Sequence, residues 1–159
     1  MKSLRFLLMA ALVVLAFSCK GQNEGISPEP IYLGEEICSR CGMIISDVNY
    51  AAQLIEPGKG AHKFDDIGCL VEFMQESGGG EQAIGKAFVM AQDKGEWLPF
   101  EDAHFVRSDK IKTPMGHGIM AFSDYSEAKS FAASVHGNIL KSQGLLLTED
   151  PGREAVNSE

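Results

Sequence analysis

Ile67, Leu70, Val71 and Met74 recur at i, i+3, i+4 and i+7, the apolar stripe of an amphipathic helix. Asp65 or Asp66 stands where a cap belongs, and Gly78-Gly79-Gly80 supplies the stop. A second stripe, Ala128, Phe131, Ala132 and Val135, follows Asp124, with Glu127 three residues on in capping-box spacing and Gly137 at its close. His136 falls at the end of that helix, where a cation suits the dipole. The other apolar runs are short and bounded by turn residues, which predicts strands. Tyr50 to Ile55 and Ala61 to Phe64 flank Pro57-Gly58-Lys59-Gly60 as a hairpin, and Ala87 to Ala91 and Ala103 to Val106 follow. Ile139-Leu140 and Leu145 to Leu147 supply a final strand or two. Trp97 reads as a core or rim anchor, and Met120, against Ala121-Phe122, as core.

Phe64 is followed by Asp66 and Phe73, and Phe122 by Asp124 and Phe131, at the same two offsets. Each case joins a strand, an acidic cap and a helix. The expectation is an α+β domain over 31–148 built of two similar strand-strand-helix halves, about 31–80 and 81–148, divided at the glycine run.

The ends differ in character from this middle. Lys2 and Arg5 precede an apolar stretch of 12 residues, Phe6 to Phe17, and Ser18-Cys19 follows, so 1–18 reads as a secretory signal peptide. A transmembrane helix needs about 20 apolar residues. Cys19 resembles the lipidated cysteine of a bacterial lipobox, although the usual Leu three residues before it is missing. Residues 19–30, with two glycines and two prolines, read as a flexible tether, and 149–159 as a disordered tail. The formal charge is −8, and −10 without Lys2 and Arg5. Such acidity argues against nucleic acid as a partner.

Two stretches carry chemistry. Cys38-Ser39-Arg40-Cys41-Gly42-Met43 offers two thiols and a thioether within six positions, a set that suits a soft ion such as Cu(I). Gly42 permits the tight turn that lets Met43 point the same way. The same spacing also serves a redox-active cysteine pair, half of a zinc site, or a structural disulfide in an exported protein. Thr113-Pro114-Met115-Gly116-His117-Gly118 places Met115 and His117 in a glycine loop able to fold round an ion. Cys69, near a predicted helix start, reads as buried or reactive.

Cys38-x-x-Cys41-Gly42-Met43, Ala51-Ala52-Gln53, Phe64-Asp65-Asp66-Ile67-Gly68-Cys69-Leu70 and Thr113-Pro114-Met115-Gly116-x-Gly118 together resemble the NosL family of nitrous oxide reductase accessory lipoproteins, over about 32 to 137. The resemblance implies a Cu(I)-binding chaperone in the bacterial cell envelope, lipid-anchored through Cys19 on the extracytoplasmic face, and not an enzyme. It implies a monomer that delivers copper for the copper–sulfide centre of nitrous oxide reductase, its apoprotein being the partner, or to another copper-accepting protein. It implies a fold resembling the N-terminal part of organomercurial lyase, and Cys41, Met43 and Met115 as metal ligands. Cys38 and His117 are further candidates for the same ion. The alternative function is a thiol oxidoreductase using Cys38 and Cys41.

Overall fold

The computed structural model describes residues 26–56, 58–78 and 86–147. The signal segment, Cys19, most of the tether, residue 148 and the 149–159 tail lie outside the described residues, as do Pro57, Gly79 and Gly80. Among the described residues no helix is long and apolar enough to cross a membrane.

β1 (Ala52–Glu56) and β2 (Gly60–Phe64) form the expected hairpin, in register from Ala52↔Phe64 to Glu56↔Gly60. α1 (Ile67–Glu76) follows, capped by Asp66, whose Oδ1 accepts the Gly68 N–H. Then come β3 (Ala87–Ala91), β4 (Glu96–Pro99), β5 (His104–Arg107) and β6 (Ile119–Phe122). α2 (Tyr125–Val135), β7 (Asn138–Leu140) and α3 (Ser142–Leu147) complete the described elements. The seven strands of the described residues share one sheet, in the order β2-β1-β3-β6-β5-β7, with β4 paired to β3. β3 meets β6 in parallel at Ala91↔Ala121, and the other pairings are antiparallel. The two hairpin-then-helix runs, β1-β2-α1 and β5-β6-α2, are thus sections of one continuous sheet.

The strand alternation explains why this sheet is covered on both sides. Along β6, Ile119 and Ala121 join the core made with Ile67, Leu70 and Met74 of α1 and Leu145 of α3. Met120 and Phe122, pointing the other way, join Ala128 and Ala132 of α2 in a second core. Phe105 and Val106 of β5 divide in the same manner.

Two local expectations change, for Leu145 to Leu147 and for the Asp124 box, and two local details are added. Leu145 to Leu147 are helical, because Leu145 turns inward beneath α1 while Leu147 remains exposed. Met43 to Ile45 contribute only the isolated bridge Ile37↔Ile44. Asp124 caps α2 by accepting the Ser126 and Glu127 N–H groups, but its own N–H goes to Asp93 Oδ2 at 3.0 Å rather than into a reciprocal box. His136 takes the left-handed conformation as the C-cap of α2, with Lys110 Nζ 2.8 Å from its Nδ1. At the chain entrance, Glu29 exchanges backbone hydrogen bonds with the buried Gln53 side chain, and the Pro30 carbonyl accepts from Lys63.

Candidate metal centre

The Cys38–Met43 segment is a closed loop. Gly42 N–H donates to the Cys38 carbonyl at 3.0 Å and Cys38 N–H to that of Met43 at 2.8 Å. Gly42 has φ 75°, a conformation that a side chain would strain. Two residues anchor the loop, Ser39 and Arg40. Ser39 N–H donates to the Lys63 carbonyl at 2.8 Å, and Lys63 N–H returns to Ser39 Oγ at 3.2 Å, which docks the loop on β2. Arg40 reaches Glu72 at 2.8 Å and Glu76 at 2.9 Å, which docks it on α1. These partly exposed ion pairs contribute little stability, about 1 kcal/mol or less each, so their role is orientation.

The consequence is that Cys38 turns into the core while Cys41 stays half-buried at the surface. They meet Asp65, at the end of β2, and Cys69, in the first turn of α1, both buried. One donor atom from each of Cys38, Cys41, Asp65 and Cys69 lies within 4.8 Å of every other. Cys41 Sγ–H donates to Asp65 Oδ1 at 3.5 Å. All three cysteines are free.

Their protonation is divided by hydrogen bonding. The Cys69 thiol donates to Cys38, and backbone N–H groups of Cys41 and Asp65 add to it against the cost of burial, holding Cys38 down at about 4. Cys69 is pushed up because that bond keeps its proton in place, and burial acts in the same direction. Burial also raises Cys41 and Asp65. Hydrogen bonding therefore favours the thiolate form at Cys38 and the thiol form at Cys69.

The second loaded stretch reaches the same place through Asp66. Besides capping α1, Asp66 accepts the Thr113 hydroxyl at 2.6 Å and the Met115 N–H at 3.0 Å on Oδ2. Thr113 Oγ1 accepts from Gly118 N–H at 3.2 Å. The adjacent pair Asp65-Asp66 thus touches Cys41 on one side and the Met115 loop on the other. Met43 and Met115 are both exposed, at 54% and 38%.

His117 departs from the expected set. Its ring lies against Gly68, where a Cβ would come within 2.0 Å of it, and its Nε2 is 3.6 Å from Glu72 Oε2. Its donor atom gathers with those of Glu72 and Cys69, in a second cluster that shares only Cys69 with the first. The sequence pattern singled out neither Asp65 nor Glu72 as a donor and left Cys69 between burial and reactivity. Cys69 is both fully buried and a member of the thiol nest.

The NosL family profile matches residues 32–146. The chain belongs to the NosL family. A solved structure, titled the crystal structure of the copper chaperone NosL from Shewanella denitrificans, matches with a TM-score of 0.60. It is 16% identical, with 73% of this chain and 92% of that one covered, so this likeness carries the fold. No curated relative matches the chain by sequence. The mixed α+β architecture expected from the pattern is thus a NosL fold, and the thiol nest occupies two of the segments by which the chain resembles the family.

Proposed function

We propose that this protein is an extracytoplasmic Cu(I) metallochaperone, a binding and transfer protein without turnover. The observation that carries the reading is the thiol nest: Cys38, Cys41 and Cys69 converge beneath a surface loop bearing Met43. Thiolates and thioethers favour Cu(I), and the neutral, weakly held thioethers of Met43 and Met115 are exchangeable one at a time. Cys41, Met43 and Met115 form the exposed ligand set, and Cys38 stands behind them. Exposed Ile37 and Ile44, paired beside Met43, give an acceptor protein an apolar surface to meet during handover. The acceptor is the nitrous oxide reductase apoprotein, which needs copper for its copper–sulfide centre, and Cys19 carries lipid that anchors the chaperone to the membrane.

Burial speaks against the thiol oxidoreductase reading. Cys38, where the thiolate form is favoured, is 2% exposed and out of reach of a partner's disulfide, whereas the more accessible Cys41 has its thiol pushed up by burial. A Cu(I) titration against a coloured chelator, on wild type and Met43→Ala, tests the proposal beside an insulin-reduction assay. Tight binding weakened by Met43→Ala, with no reductase activity, is expected. Insulin reduction without Cu(I) binding would overturn it.

A further inference from the structure

The Cys69, Glu72 and His117 cluster is not a continuation of the soft site. Cys69 and Glu72 lie three residues apart on α1, and His117 comes down on them from the 113–118 loop, admitted by the missing side chain of Gly68. One sulfur, one oxygen and one nitrogen donor stand within 4.8 Å of one another. A tetrahedral zinc ion, about 2.0–2.3 Å from each ligand, holds its donors roughly 3.3–3.7 Å apart, so a contraction of about 1 Å completes the set. A cavity of about 20 Å³ adjoins Glu72 and His117, with Gln75 and Arg107 also on its wall. That is room for one water as a fourth ligand.

We infer that Cys69, Glu72 and His117 form a second metal site, selective for a borderline divalent cation of the Zn²⁺ type. The reason for the selectivity is the donor set. A carboxylate and an imidazole favour a divalent ion over Cu(I), and the two thioethers belong to the other site. Binding displaces the Cys69 proton to solvent, and it requires Glu72 to give up its present contacts, the ion pair with Arg40 among them, while Arg40 keeps Glu76. Because Cys69 belongs to both donor clusters, a divalent ion in this site withdraws one sulfur from the nest.

The experiment titrates Zn²⁺ into the reduced full-length protein against a chromophoric chelator, with Cu(I) titrated in parallel. The variants are Glu72→Gln, His117→Asn and Cys41→Ser, each checked for folding by thermal melting. Glu72→Gln and His117→Asn are expected to weaken Zn²⁺ by about tenfold or more, since even outer-shell partners of a metal contribute that much. Cu(I) affinity stays close to wild type in His117→Asn, Glu72→Gln is read on Zn²⁺ alone because Glu72 also anchors the Cys38–Met43 loop through Arg40, and Cys41→Ser weakens Cu(I) while sparing Zn²⁺. Co²⁺ supplies an independent readout, a visible spectrum of tetrahedral type altered by His117→Asn. Should His117→Asn fail to fold, the near-isosteric Glu72→Gln decides the matter alone. Zn²⁺ binding that survives Glu72→Gln, or that is abolished by Cys41→Ser, would place the ion in the thiol nest and overturn the inference. Absence of Cu(I) binding with this Zn²⁺ pattern intact would instead count against the copper reading alone.

Discussion

Asp66→Asn is the most informative single change, because one carboxylate serves two elements far apart in sequence. Its Oδ1 caps α1 through Gly68 N–H at 2.8 Å, and its Oδ2 holds the Thr113 hydroxyl at 2.6 Å and the Met115 N–H at 3.0 Å. The side chain is wholly buried. A carboxamide has one acceptor oxygen, so asparagine keeps the cap or the loop, and its NH₂ group faces donors on the other side. Hydrogen bonds to a charged group are worth about 1.5–3 kcal/mol each, and a cap about 1 kcal/mol. If the cap is kept and the loop released, two charged bonds are lost. Water recovers part of this at the exposed loop, which leaves an expected destabilisation of about 2–4 kcal/mol. Urea denaturation measures it. The released loop no longer holds Met115 at Asp66, the neighbour of the Asp65 that bonds Cys41, so Cu(I) affinity is expected to fall as well, and to fall by the same route as in Met115→Ala. In a double-mutant cycle the two affinity losses should therefore not add. Fully additive losses, or a destabilised Asp66→Asn variant with wild-type Cu(I) affinity, would refute the claim that Asp66 positions Met115.

Met43→Ala and Met115→Ala are each expected to weaken Cu(I) in chelator competition while leaving the melting temperature nearly unchanged, since both side chains are exposed. Met74→Ala, wholly buried on α1, should cost about 2–5 kcal/mol in stability and leave intrinsic Cu(I) affinity alone. Burial tends to raise Asp93, but hydrogen bonds from the Ser123 hydroxyl and N–H and the Asp124 N–H outweigh it and hold the carboxyl below its usual range. The folded value lies below the unfolded one, so this stability is present above about pH 4 and is lost as pH falls through the folded value. Urea midpoints of wild type and Asp93→Asn should accordingly converge at low pH. Cys19→Ala should move the protein from the membrane to the soluble fraction on cell fractionation, because two or three acyl chains anchor where one does not.

Helices, hairpin and turn motif were legible in the chain itself because each rests on interactions between near neighbours. The i, i+3, i+4 stripe of α1 needs only its own residues to be recognised, and the Cys38–Met43 loop closes on hydrogen bonds spanning five positions or fewer. The six-residue α3 was not legible, since three consecutive leucines suit strand or helix equally and only the place of Leu145 under α1 decides between them. The same holds for the site. Its soft chemistry was written in Cys38, Cys41 and Met43, but the third thiol is Cys69, across the β1-β2 hairpin and on another element. The bond from Met115 to Asp66 spans 49 positions. His117 reads as a neighbour of Met115 along the loop, yet the close approach at Gly68 turns it toward Glu72. Local spacing determines which donor atoms the chain owns. Sheet register and the seating of α1 determine which of them share a site, because a donor set is a matter of angstroms in space and periodicity carries no distance between elements.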